Sequence, residues 1–259
     1  MSGKGTEYTV EICCGSYYDA LQAFKGGAER IELNSALALG GLTPSAAALR
    51  LIKENMPSLK VIAMARPRGA GFCYTEEEFL EMEAAAKELL EDGADGIAFG
   101  CLKSDASLDM EKNERMVSII KERGKEAVFH RAFDCVEKPF EVMEQLIGMG
   151  VNRVLTSGLK ARAMDGAEMI RSLQERYGSR IEILAGSGVN AGNVCELLER
   201  TKITQVHSSC KGWRKDPTTV RNGVSYSMAE GDKELMYDVV SADLVSELRL
   251  AVGNGGRRF

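Results

Sequence analysis

The stretch GGAERIEL at residues 26–33 shows how the chain is built, because two similar stretches follow it. DGADGIAF occupies residues 92–99, and MGVNRVLT occupies residues 149–156. In each stretch a glycine follows helical sequence, two or three residues come next, and a short apolar run begins. Glycine after a helix tolerates the left-handed backbone conformation that ends many helices. These stretches are therefore typical of the loops that lead from a helix into a strand.

Short apolar runs of this kind alternate with helical sequence along the whole chain. Strands that alternate with helices pair in parallel through right-handed crossovers. Eight such units in a chain of 259 residues match the size of a TIM barrel. The sequence thus predicts an α/β fold with a single (β/α)8 TIM barrel at residues 8–252, between flexible segments at 1–7 and 253–259. The predicted strands are 8–13, 30–34, 59–65, 96–100, 127–131, 153–157, 181–186 and 204–208, and a last helix is expected near 232–251.

Composition excludes several classes of partner. The chain has 33 basic and 38 acidic residues, a net charge of −5, and no basic stripe of the kind that nucleic acid requires. The start, MSGKGTEYTVEICC, has no long apolar run, and no stretch approaches the length of a membrane span. We therefore expect no nucleic-acid partner, no membrane contact, a cytoplasmic location and reduced cysteines. A homo-oligomer is left open.

Polar residues at the ends of the predicted strands indicate the site. Active sites of TIM barrels lie at the carboxyl ends of the strands, and alternation along a strand decides which side chains enter the barrel. Both histidines of the chain then enter the same mouth, together with two glutamates and strand-end arginines. We expect Glu32 to pair with Arg66, because a buried charge is costly when it is alone. The candidate catalytic residues are Glu11, Glu32, Arg66, His130, Asp134 and His207.

Several motifs together resemble the copper homeostasis protein family called CutC. They include EICCGS at 11–16, RPRGAGFCYT at 66–75, FHRAFD at 129–134 and RVLTSG at 153–158, and the resemblance runs from Glu11 to about Met228. It implies a cytoplasmic TIM barrel that is linked to copper tolerance and binds Cu(I). Many members have Cys where this chain has Asn34, and Asp where it has Gly71. The first difference removes a thiol, and the second removes a carboxylate.

Copper(I) directs attention to the cysteines, because it is a soft ion that prefers thiolate and thioether ligands. All seven cysteines except Cys195 are expected at or just past strand ends. No C-x-x-C pair exists, and the best candidate metal ligands are Cys13, which points inward by alternation, and Cys101, at the end of the fourth strand. A harder ion held by Glu11, Glu32, His130 and His207 is a second possibility, but nearby arginines would neutralise those carboxylates.

An alternative interpretation is an enzyme of lyase, isomerase or hydrolase type that acts on a small anionic substrate, including phosphorylated ones. Arginine binds carboxylate or phosphate through its planar fork, and the loop after the seventh strand holds phosphate in many barrels. His130 would then act as acid or base, and Asp134 would orient either His130 or Arg131. No lysine is expected at an inward strand end, which argues against a Schiff base. The candidate anion-binding residues are Arg68, Arg131, Gly186, Ser187, Gly188, Ser208 and Ser209.

The segment at residues 210–232 has no clear periodicity. Connections of this length in compact domains are usually functional or disordered. It contains Trp213, the only tryptophan, together with Arg214 and Arg221. It is expected either to act as a lid that brings arginines over the barrel mouth or simply to cap the barrel.

Overall fold

The structure is a computed structural model that describes residues 8–255, and its centre is a closed barrel of eight parallel strands. The strands pair in chain order, and the first closes on the eighth. Each begins and ends within one or two residues of its predicted position, so the predicted TIM barrel is confirmed. Strands β1 to β8 are Thr9–Cys14, Arg30–Leu33, Lys60–Met64, Gly96–Phe99, Glu126–Phe129, Arg153–Thr156, Glu182–Ala185 and Gln205–Ser208.

Helices follow the strands and cover the outside of the barrel. Helices α1 to α8 are Tyr17–Lys25, Ala46–Asn55, Glu76–Glu91, Met110–Lys121, Pro139–Met149, Ala167–Tyr177, Val194–Thr201 and Ala242–Gly255. The last helix begins later than predicted and continues through residues 253–255, which were expected to belong to a flexible tail. The segments 1–7 and 256–259 lie outside the described residues. Within residues 8–255, no helix combines the length and apolar character needed to cross a bilayer.

Glycines end the helices where the repeated loops predict it. Gly27, Gly93 and Gly150 have φ angles of 88°, 98° and 85°. A side chain at such a position strains the backbone, whereas glycine adopts it freely. The repeated stretches are therefore helix-to-strand loops, as the sequence indicates.

The barrel interior is apolar on one side and charged on the other. Ile62, Met64, Ala98 and Val128 form a small buried cluster inside β3, β4 and β5. Across the barrel, four buried polar side chains form a connected layer beneath the mouth: Glu11, Arg30, Arg153 and Gln205. Arg30 lies 2.6 Å from Glu11, and both arginines donate hydrogen bonds to Gln205, at 2.6 and 3.0 Å. We call this layer of four side chains the charged floor, because it lies beneath the cavity at the barrel mouth.

The segment after β8 forms an arm, residues 211–240, built from two pairs of strands. Strand β9 (Lys211–Lys215) pairs antiparallel with β12 (Met236–Val240), and β10 (Val220–Arg221) pairs with β11 (Val224–Ser225). The arm is fastened to the barrel by Asp19 of α1, whose carboxylate accepts a hydrogen bond of 2.8 Å from the Val240 N–H.

Only the base of this arm reaches the barrel mouth. Lys211 and Asp238 line the cavity there, whereas Trp213, Arg214 and Arg221 do not. The guanidinium of Arg214 lies 5.1 Å from the ring of Tyr18 instead. The expectation that this segment carries arginines over the mouth is therefore wrong.

Candidate functional site

A cavity of about 550 Å³ opens at the carboxyl ends of the barrel strands. Its walls combine apolar side chains, such as Met64 and Phe72, with charged and hydrogen-bonding groups. The structure brings ten of the predicted site residues to it: Cys13, Glu32, Arg66, His130, Arg131, Ser187, Gly188, His207, Ser208 and Ser209. Glu11, Arg68, Cys101, Asp134 and Gly186 do not line it.

Three side chains at one wall of the cavity form a cluster that could hold a metal ion. One ligand atom each of Cys13, Glu32 and His207 lies within 4.8 Å of the other two. The three residues come from β1, β2 and β8, which are neighbours in the barrel. Alternation along the strands turns all three inward, so the sequence predicts this convergence even though it does not single out the three as a set.

Glu11 orients the histidine of this cluster. Its Oε1 lies 2.9 Å from Nδ1 of His207, and its Oε2 lies 2.6 Å from Nε of Arg30. Burial alone would raise the pKa of Glu11, but Arg30 and the hydrogen bond with His207 outweigh it and lower that pKa to about 2. Glu11 is therefore negatively charged at physiological pH. It contacts Nδ1 of His207, so Nε2 is the ring nitrogen that is available to a metal ion.

The protonation of the cluster follows from its burial. Burial lowers the pKa of His207, but hydrogen bonds with Cys13 and Glu11 outweigh it and raise that pKa well above its ordinary value. Burial raises the pKa of the Cys13 thiol and of the Glu32 carboxyl, in both cases against the opposing effect of His207. A metal must displace protons from the thiol and the imidazole, because only the thiolate and the neutral ring are ligands.

Asn34, the position at which the resemblance implies a cysteine in many relatives, lies beside the cluster. Its Nδ2 donates to Glu32 Oε2 at 2.9 Å and lies 3.6 Å from Cys13 Sγ. The position is thus in direct contact with the cluster. In this chain it supplies an amide hydrogen bond to Glu32 in place of a second thiol.

The donor set suits a soft or borderline ion. Thiolate selects Cu(I) and Zn²⁺, and imidazole suits copper and zinc, whereas carboxylate is a harder ligand. Cys13 and His207 therefore fit Cu(I), and Glu32 is the weakest of the three donors for it. The alternative hard-metal set of Glu11, Glu32, His130 and His207 is not among the groups of described residues that could hold a metal ion. Glu11 contacts His207 but is paired with Arg30, and His130 does not join Glu32 and His207.

The predicted ion pair between Glu32 and Arg66 is wrong. The guanidinium of Arg66 donates to three backbone carbonyls, those of Leu39 at 3.2 Å, Gly41 at 2.9 Å and Ala70 at 2.6 Å. These carbonyls belong to the loops after β2 and β3. They accept the hydrogen bonds of the guanidinium, which therefore does not pair with the carboxylate of Glu32. Among the predicted site residues, Glu11 is the carboxylate that pairs with a buried arginine, Arg30.

His130 enters the cavity from β5, as alternation predicts. Its Nδ1 accepts a hydrogen bond of 3.2 Å from the Ala132 N–H, and its ring centroid lies 4.9 Å from that of Phe72. Burial, together with the nearby charge of Arg66, lowers the pKa of His130 to about 3. The ring is therefore neutral at physiological pH.

Asp134 does not orient His130. Its carboxylate accepts hydrogen bonds from Arg131 at 2.8 Å, from the Thr156 hydroxyl at 2.6 Å and from the Ser157 N–H at 2.9 Å. It therefore fastens the loop after β6 and holds Arg131 at the cavity rim, which is the second of the two roles predicted for it.

Arg68 and Cys101 lie away from the cavity for local reasons. Arg68 forms an ion pair with Glu78 in the first turn of α3, and its guanidinium lies 5.1 Å from the Tyr74 ring. Cys101 is buried in the helix-facing core, where burial raises the pKa of its thiol. The second thiol at the cavity is instead Cys210, just after β8, which the sequence does not single out.

The glycine-rich loop after β7 and the end of β8 line the cavity, but the hydroxyls of Ser187 and Ser208 already donate to backbone carbonyls. The Ser187 hydroxyl donates to the Ala161 carbonyl at 2.7 Å, and the Ser208 hydroxyl donates to the Val189 carbonyl at 2.6 Å. An anion at this loop would therefore rely on backbone N–H groups and on Ser209.

Known proteins resemble this chain over most of its length. Residues 8–212 match the sequence profile of the CutC family. A CutC family protein of Treponema denticola is 44% identical, over 84% of this chain and 87% of its own length. A human protein called copper homeostasis protein cutC homolog is 36% identical, over 88% of this chain and 85% of its own length.

Solved structures agree with the sequence relatives. The crystal structure of the copper homeostasis protein CutC from Streptococcus agalactiae superposes with a TM-score of 0.74 and 29% identity, over 78% of this chain and 98% of that one. A phosphoribosylanthranilate isomerase from Pyrococcus furiosus has a TM-score of 0.57 at 16% identity, over 96% of this chain and 100% of that one, which shows a shared fold alone. Because the family match covers most of the barrel and close relatives extend over more than four-fifths of the chain, this protein belongs to the CutC family.

Proposed function

We propose that this protein binds copper(I) at Cys13 and His207, with Glu32 as a third, weaker ligand, and that this binding serves copper homeostasis. The observation that carries the proposal is the convergence of the three side chains within 4.8 Å at an accessible cavity. The names of the human relative and of the Streptococcus agalactiae structure support the choice of copper. The seven free cysteines support a cytoplasmic location, where thiols stay reduced.

The carboxylate of Glu11 orients His207 so that the ring can bind a cation. Glu11 holds Nδ1 of His207, so Nε2 is the nitrogen that would face the ion. A carboxylate behind a metal-binding histidine fixes the ring orientation and increases its basicity. Because binding displaces protons from Cys13 and His207, the apparent affinity for Cu(I) rises with pH.

The test is an anaerobic competition titration against a chromogenic Cu(I) chelator. Wild-type protein should bind about one equivalent, and Cys13→Ser should lose most of the affinity. His207→Gln should weaken binding as well. Cys195→Ser, which removes an exposed thiol outside the cavity, is the matched control and should behave as wild type. Equal affinity in the Cys13 and Cys195 variants would show that binding comes from thiols in general and not from this cluster.

A second candidate function is an enzyme of lyase, isomerase or hydrolase type that acts on a small anionic, including phosphorylated, substrate. The observation in its favour is the size of the cavity. About 550 Å³ falls within the range of pockets that enclose organic ligands and is far larger than one ion needs. A thermal-shift screen of metal-free protein against phosphorylated sugars and small organic acids tests it, and a melting temperature unchanged by every compound would count against it.

A further inference from the structure

Arg66 is a buried charge without a counter-ion. Only 5% of its surface is exposed. Two other arginines of the neighbouring loops have carboxylate partners, Arg68 with Glu78 and Arg131 with Asp134, but no carboxylate in residues 8–255 pairs with Arg66. Its three carbonyl partners satisfy hydrogen bonds without cancelling charge, and its Nε has no acceptor among the described residues. Such an arrangement is costly unless something else supplies negative charge.

The neighbouring hydroxyl does not supply that charge. Tyr74 lies beside Arg66, and burial raises the pKa of its phenol to about 12 even though the charge of Arg66 opposes the shift. The phenol is therefore neutral at physiological pH. The counter-charge has to come from outside the chain.

His130 presents a second unused donor at the same place. Its Nδ1 accepts from the Ala132 N–H, so the neutral ring carries its proton on Nε2. This nitrogen is buried and has no partner in the part of the chain that the structure describes. Two buried donors, one of them charged, thus lack acceptors within one cavity wall.

Phe72 packs against both groups. Its ring centroid lies 4.9 Å from that of His130 and 5.0 Å from Cζ of Arg66. Phe72 is only half-buried, and it follows Ala70, which has a φ of 64°, and Gly71, around which a Cβ would meet nothing. The loop has open space beside Gly71, and the Phe72 ring is partly exposed at the cavity wall.

We propose that Arg66 and His130 form an oxyanion subsite, in which they donate hydrogen bonds to a carboxylate or phosphate group of a small ligand once Phe72 moves aside. The ligand supplies the missing counter-charge and the missing acceptors together. Its remaining part extends into the cavity. This inference gives the second candidate function a defined substrate group, and it does not depend on copper binding.

The experiment is calorimetric titration of metal-free protein with two probes, malonate for the carboxylate source and inorganic phosphate for the phosphate source. At least one probe should bind saturably with one-to-one stoichiometry, and the probe that binds identifies the group. His130→Phe keeps the ring shape and removes the donor, and Arg66→Met removes the charge. Each variant should weaken binding about tenfold or more, because a hydrogen bond to a charged group is lost.

Two further variants keep the test decisive. Arg123→Met removes a charge outside the cavity, where Arg123 pairs with Glu91, and should leave the affinity unchanged. Phe72→Ala uncovers the two donors and should bind at least as tightly as wild type. Absence of binding by both wild type and Phe72→Ala would overturn the proposal, as would equal affinities of wild type and His130→Phe. Since no copper is present, either result leaves the copper proposal intact.

Discussion

Breaking the buried pair of Glu11 and Arg30 should destabilise the barrel strongly. The two groups lie 2.6 Å apart, with side-chain exposures of 1% and 6%. Removing one partner of a buried pair leaves an uncompensated charge, which costs about 3–5 kcal/mol. Glu11→Gln leaves Arg30 beside the positive charge of Arg153, and Arg30→Met leaves the carboxylate without its closest cation. We expect each variant to lose unfolding free energy in this range at pH 7.

The double variant should lose much less than the sum of the two single losses, because neither charge is left alone. Urea denaturation followed by circular dichroism measures all three free energies on one scale. Arg171→Ala is the control, since its pair with Glu175 lies on the surface and such pairs contribute about 0–1 kcal/mol. Additive losses, or single losses no larger than the control, would refute the assignment of Glu11 and Arg30 as a coupled buried pair.

Three other predictions concern the cavity and the arm. The pKa of His130 falls from 6.5 to about 3 on folding. The unfolded chain therefore takes up the proton first as pH falls below 6.5, and this group should reduce the stability of wild type by about 2 kcal/mol between pH 7 and 5. His130→Gln should lack this part of the loss in urea titrations at the two pH values, and equal losses would contradict it. Asn34→Cys places a second thiol beside Cys13 and should raise Cu(I) affinity at least tenfold in chelator competition, whereas an unchanged affinity would place copper elsewhere. Asp19→Ala removes the acceptor of the Val240 N–H and should accelerate its hydrogen exchange, and unchanged exchange would show that the arm is held by other contacts.

The fold could be predicted because local signals agree with the global pattern. Glycine-terminated helices and short apolar runs specify where each strand begins, and parallel pairing of eight units leaves one common closed arrangement. The arm could not be predicted in the same way. Strands β9 and β12 are separated by about twenty residues and pair with each other, so their structure depends on contacts that local periodicity does not encode.

The site could be predicted as far as alternation was applied. It places Cys13, Glu32 and His207 inward and would have placed Arg30, two residues before Glu32, inward as well. Arg30, Arg153 and Gln205 are the first residues of β2, β6 and β8, so a prediction that starts from the carboxyl ends of the strands does not include them. Alternation along the strand also predicts that Cys101, two residues after Phe99, faces the helices as Phe99 does. The partner of Arg66 could not be foreseen, because backbone carbonyls from two loops carry no signature in the sequence.

The central claim is that copper is held by one thiol and one imidazole at the barrel mouth. X-ray absorption spectroscopy at the copper edge of the Cu(I)-loaded protein tests it most directly, since the spectrum reports the number and type of ligands. We predict one sulfur ligand together with one or two nitrogen or oxygen ligands, and loss of the sulfur contribution in Cys13→Ser. A spectrum with only sulfur ligands, or one that is the same in wild type and Cys13→Ser, would contradict the account.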